Sequence, residues 1–131
     1  MKLKDPVLLN RVELQIMKII WNKGQATARQ VKNELDKKRP LAYTTVATML
    51  NYLEQKGFLT HDAGERAYVY KPLVQREEVS QGMLLDVIDR LFDGSMELLM
   101  NTLAKTKNLT EEELQKLRKR ISQHYKERTD E

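Results

Sequence analysis

Val46, Met49, Leu50 and Leu53 stand at i, i+3, i+4 and i+7, a spacing that an α-helix lines up as one buried stripe and that a strand scatters over both faces. Two similar stripes precede it. Leu9, Val12, Ile16, Ile19 and Ile20 share a first helix face, which Gly24 stops, in the left-handed conformation common at helix ends. Ala28, Val31 and Leu35 mark a second helix, predicted to run to about Lys37. Thr27 and Gln30 open it as a capping box, each side chain bonding the other's backbone N–H. Pro40 begins the next connection and Gly57 closes the third helix. Residues 58–61 and 67–70 then read as two short strands around Asp62-Ala63-Gly64-Glu65, where Gly64 suits the tight turn of a hairpin.

Helix, helix, helix, hairpin is the order of a winged helix-turn-helix, so residues 1–73 are expected to form that domain, mainly α with a two- or three-stranded wing. After Pro72 the pattern is purely helical. One segment over 76–92 carries Leu84, Val87, Ile88 and Leu91, and Asp93-Gly94-Ser95 breaks it. Met96, Leu99, Met100 and Leu103 mark a second helix. A capping box at Thr110 and Glu113 opens a third, with Leu114, Leu117, Ile121 and Tyr125 on one face. Three short amphipathic helices have apolar faces and little core of their own. A second copy of the chain would cover them, so residues 74–131 read as a helical dimerisation region. Its contact residues are expected to be Leu84, Ile88, Leu91, Met96, Leu99, Leu103, Leu117 and Ile121.

The chain of 131 residues carries a net charge of +4, unevenly spread. Residues 1–78 hold 14 Lys/Arg against 9 Asp/Glu, a net +5, whereas residues 79–131 hold 9 against 10, a net −1. The basic excess therefore lies in the predicted winged helix and suits a polyanionic partner. No apolar run approaches the ~18 residues of a membrane span, so no membrane insertion is expected. The first residues show no secretory pattern, which points to the cytoplasm. The chain has no cysteine, excluding disulfides and thiolate metal sites. His61 and His124 lie far apart in sequence and in no ligand cluster, so no metal is expected and each reads as a satisfied or exposed histidine. There is no Gly-rich phosphate loop and no catalytic spacing; the chain is expected to be no enzyme and to need no cofactor.

A recognition helix turns its N-terminal side chains to base edges in the major groove, which singles out Thr44, Thr45 and Thr48. Their hydroxyls could instead cap the helix. Tyr43 would sit at the groove edge or on a phosphate, or be a partly buried ring. Arg66, after the hairpin turn, would reach phosphate or the minor groove; its alternative is a solvated surface charge. Arg29 and Lys32, in the first turns of the second helix, would lie along the phosphate backbone or simply face solvent. Lys56 and Lys71 are weaker candidates. Trp21 and the methionines fall on apolar stripes and read as core. A winged helix used only for protein contacts, or a regulator that senses a ligand directly, are the alternatives to a DNA-binding repressor.

The run 41–50 (Leu-Ala-Tyr-Thr-Thr-Val-Ala-Thr-Met-Leu), with Leu53-Glu54-Gln55-Lys56-Gly57-Phe58-Leu59, resembles the recognition helix of the penicillinase-repressor (BlaI/MecI/CopY) family. Residues 64–70 resemble its wing. Residues 14–21, 27–31, 91–95 and 109–114 match its pattern too, so the resemblance covers nearly the whole chain. It implies a homodimeric repressor of double-stranded DNA with an inverted TACA/TGTA-type operator. In antibiotic-responsive members a membrane sensor triggers proteolysis at an Asn-Phe bond in the C-terminal helices. The corresponding neighbourhood here is Asn101-Thr102, and no Asn-Phe pair occurs in the chain. The copper-responsive branch uses C-terminal cysteines, which this chain lacks.

Overall fold

The computed structural model describes residues 9–129, with side chains through residue 124; the side chain of Tyr125 lies outside the described residues. Three helices come first: α1 (Arg11–Lys23), α2 (Ala28–Leu35) and α3 (Tyr43–Gln55). Each α1 and α2 start is fixed by a reciprocal box of short-range hydrogen bonds. The Glu13 N–H donates to Asn10 Oδ1 at 2.8 Å and the Asn10 N–H to Glu13 Oε1 at 3.0 Å. The expected Thr27 box forms in the same way, at 3.2 Å from the Gln30 N–H and 2.9 Å from the Thr27 N–H. Gly24 ends α1, its N–H donating to the Ile20 carbonyl. Its φ of 86° is positive as expected, but its ψ of −40° lies outside the left-handed helical region. Glycine alone reaches such a conformation cheaply. α2 stops at Leu35, two residues short of the prediction, because the Lys38 and Arg39 N–H groups both turn back onto the Leu35 carbonyl.

The sheet has three strands: β1 (Ala26–Thr27), β2 (Leu59–Ala63) and β3 (Tyr68–Pro72), in the order β1-β3-β2 and antiparallel throughout. β2 and β3 form the hairpin, with His61 opposite Tyr70 and Ala63 opposite Tyr68. The turn is therefore 64–67, two residues later than the sequence pattern suggests. The Gly64 N–H donates to the Ala67 carbonyl, and a Cβ at Gly64 would lie 2.5 Å from that oxygen. Close backbone approach is thus what requires glycine there. Thr27 both caps α2 and pairs with Val69 as part of β1, tying the helix-turn-helix to the wing.

One core joins these elements. Ile16, Met17 and Ile20 from α1 meet Val31 and Leu35 from α2, Val46, Leu50 and Leu53 from α3, and Phe58, Leu59 and Tyr70 from the sheet. Each such side chain contributes roughly 1.5–3 kcal/mol through burial. Val74 and Val79 complete the cluster, and the Trp21 indole N–H donates to the Val74 carbonyl at 2.9 Å. Glu13, itself buried, accepts a 2.8 Å hydrogen bond from Lys56, locking the start of α1 to the end of α3.

Three more helices follow: α4 (Arg76–Leu91), α5 (Met96–Lys107) and α6 (Glu111–Thr129). Ser95 caps α5 by accepting from the Leu98 N–H, and Asn108, at φ 54°, ends it. Thr110 and Glu113 form the predicted box at the start of α6. The chain divides into two compact units, one reaching to Asp86 and the other starting at Val87.

Candidate nucleic-acid interface

α3 begins at Ala42, a residue with no side-chain oxygen, and no side chain caps its first turn. Thr44, Thr45 and Thr48 are all exposed, and none of them serves as the cap. The Thr48 hydroxyl donates to the Thr44 carbonyl at 2.9 Å, leaving its oxygen lone pairs as acceptors. Among the described residues the Thr44 and Thr45 side chains have no hydrogen-bond partner, so both remain able to donate. Tyr43 is half-exposed beneath the guanidinium of Arg29, which sits 5.0 Å from its ring centroid. This cation–π contact holds an unpaired arginine from α2 against the start of α3.

A groove of about 590 Å³ separates α3 from the wing. Tyr43, Ala47 and Asn51 line one wall, and Arg66 and Tyr68 belong to the other. Arg66 is exposed and has no ion-pair partner among the described residues. Behind the groove the wing is anchored by His61, whose Nδ1 lies 2.6 Å from Glu54 Oε1 and whose ring lies 4.3 Å from that of Tyr68. His61 is thus a satisfied histidine, as expected from the sequence. Burial, with the Glu54 charge adding to it, pushes the Tyr70 hydroxyl up, so this ring stays neutral at the wing's base.

Other cations are committed elsewhere. Lys32 is bound 3.0 Å from Asp36, the residue that caps the C-terminal end of its helix, which neutralises much of its charge. Lys56 is held by Glu13 and Lys71 by Asp62, so both serve the scaffold. The hydrogen bond and charge of Lys71 hold the Asp62 carboxyl below its ordinary range. Asn51 and Tyr68 are groove residues that the sequence reading passed over. Asn51 continues the exposed face one turn beyond Thr48, a signal available in the spacing; Tyr68 had no such sign. Lys38 and Arg39 are also exposed, in the connection leading to α3, and the basic run 37–39 could have pointed to them.

The expected dimerisation residues fall into two groups. Leu84, Leu91, Met96 and Ile121 are largely exposed, together with Leu85 and Leu98, which had not been singled out. Ile88 is buried, and Leu99, Leu103 and Leu117 are partly buried. Asn101 and Thr102 are exposed in the middle of α5, where the Thr102 hydroxyl donates to the Leu98 carbonyl. Among the described residues no group of His, Asp and Glu is placed to hold a metal ion, and no helix is long and apolar enough to cross a membrane.

A family model described as penicillinase repressor matches residues 9–123. The penicillinase repressor of Bacillus licheniformis is 27% identical over 116 residues, covering 88% of this chain and 91% of that protein. The transcriptional regulator BlaI of Mycobacterium tuberculosis is 33% identical over 87 residues, 66% of this chain and 63% of its own length. Among solved structures, the DNA-binding domain of the repressor BlaI superposes with a TM-score of 0.52 at 32% identity, covering 57% of this chain and 92% of that domain.

Proposed function

The chain belongs to the penicillinase repressor family, whose members are transcriptional repressors and not enzymes, and on that premise we propose that it represses transcription by gripping operator DNA as a homodimer. The observation that carries this is the uncapped start of α3. Three exposed threonines and uncapped backbone N–H groups stand beside a groove whose far wall supplies an unpaired arginine. With α3 in the major groove, Thr44, Thr45 and Thr48 meet base edges. The first-turn N–H groups, Arg29 and Tyr43 meet phosphate, and Arg66 reaches the backbone or the minor groove beyond it. Lys32 contributes only by giving up Asp36.

The exposed apolar residues of α4–α6 support the dimer, which places two recognition helices about one DNA turn apart, roughly 34–36 Å. The operator is then an inverted repeat of the TACA/TGTA type, read in the cytoplasm. Release by a membrane sensor and protease acting near Asn101 and Thr102 belongs to the same reading. It requires α5 to open locally, because that peptide bond sits within an intact helix. Selection of bound sequences from random double-stranded DNA with the full chain tests the proposal. A two-fold motif is the expected result, and enrichment of no motif would overturn it.

A further inference from the structure

Away from the α3 face, two depressions open beside α1. One, of about 380 Å³, is walled by Leu14, Trp21, Val79 and Met83 and is almost wholly apolar. The other, of about 470 Å³, lies towards α2 and is mixed in character, with Gln15 and Lys38 beside Ile19 and Leu35 in its wall. They adjoin: Lys18 and Arg76 line both. Neither cation has an ion-pair partner among the described residues, and the Arg76 guanidinium is held over the Trp21 ring at 5.6 Å from its centroid. The one acidic residue in the mixed wall, Glu34, is engaged by Lys37 at 3.2 Å and Lys23 at 3.6 Å, which hold its carboxyl below the ordinary range. The Oε1 of Gln15 is buried without a hydrogen-bond partner.

We propose that the paired depressions form one binding site for a small amphipathic carboxylate. Its apolar body fills the Trp21–Met83 side, its carboxylate sits between Lys18 and Arg76, and an N–H or O–H on the ligand satisfies Gln15. Charge sets the class. An apolar cavity rimmed by two unpaired cations favours an anion with an apolar tail over a neutral or cationic molecule. Lys38 in the mixed wall is the one residue also exposed on the approach to α3; Lys18, Arg76, Gln15 and the apolar wall take no part in the DNA reading, so the site stands apart from it.

Trp21 is the single tryptophan of the chain, so its fluorescence reports on this site directly. The DNA-free full-length protein is titrated with N-acetyl-phenylalanine, 4-phenylbutyrate and octanoate, and with the neutral N-acetyl-phenylalaninamide and 4-phenyl-1-butanol. The carboxylates should give saturable changes, and the neutral counterparts should bind about tenfold more weakly or worse. Lys18→Met and Arg76→Met, both surface changes checked by circular dichroism, should weaken the carboxylates to a similar degree. Failure of all three carboxylates, equal binding of the neutral molecules, or unchanged affinity in both variants would overturn the proposal and leave the DNA-binding reading untouched.

Discussion

Helices α1–α3 and helices α4–α6 carry the same kind of apolar stripe, yet the structure treats them differently. In α1–α3 the stripe residues Ile16, Ile20, Val31, Val46, Leu50 and Leu53 are fully buried. Beyond Val79, only Ile88 and Met100 are buried among the described residues, while Leu85 and Leu91 remain 66% and 69% exposed. The difference lies in what surrounds each stripe. The first three helices close on one another and on a sheet; the last three supply too few opposing faces. An amphipathic pattern therefore guarantees a face to cover and says nothing of which chain covers it.

The sharpest way to break the comparison is to cut the molecule within α4, at the boundary of its two compact units. A chain ending after Asp86 keeps Val74 and Val79 in the core and should remain folded, but as a monomer in sedimentation. Its affinity for a full inverted repeat should fall by about 10²–10⁴, the effective-concentration advantage lost with the tether. A truncated protein that stayed dimeric would assign α5 and α6 another task.

Next come single residues on the two stripes. Leu50→Ala should cost roughly 2–5 kcal/mol in thermal or denaturant unfolding, because it leaves a cavity in a closed core. Leu91→Ala should cost within about 0.5 kcal/mol in the monomer, as at other exposed positions, while raising the dimer dissociation constant. Equal losses of monomer stability would mean that the two stripes are covered alike.

Within the first region, α3 and the wing should separate in kind. Thr45→Ala should cost roughly 1–3 kcal/mol on the selected operator and little on unrelated DNA, if its hydroxyl reads a base. Arg66→Ala should weaken both DNAs alike and lower the salt slope by about one per monomer, as expected of a phosphate contact. An unchanged slope would return Arg66 to an ordinary surface charge.

The smallest effect concerns the wing's own pair. Lys71 keeps the folded pKa of Asp62 below its ordinary value of 3.8. The stabilisation is therefore present above that value and lost as the pH falls through the folded pKa. Asp62→Asn should flatten the acid side of the melting-temperature profile and change little at neutral pH, since the carboxylate is exposed.

Much of the fold was legible because its determinants are local. The boxes at Thr27 and Thr110 close within three residues, and the stripes repeat within one helix, so spacing alone predicts them. The placement of Thr44, Thr45 and Thr48 on the exposed side of α3 was legible for the same reason, from their positions around the third stripe. The pairing of Lys32 with Asp36, four residues on, was equally local and could have been read from the spacing.

What waited for the tertiary structure depends on residues far apart in the chain. β1 has two residues and exists because Tyr70 and Val69 arrive beside Ala26 and Thr27. Lys56 becomes a scaffold residue only when the end of α3 meets Glu13. Tyr68 and Asn51 face one groove only after the hairpin folds back along α3. Local hydrogen bonding and side-chain periodicity act over a few residues and are written directly in the order of the chain. Burial, charge neutralisation and groove formation depend on which distant surfaces meet, and only the folded chain decides that.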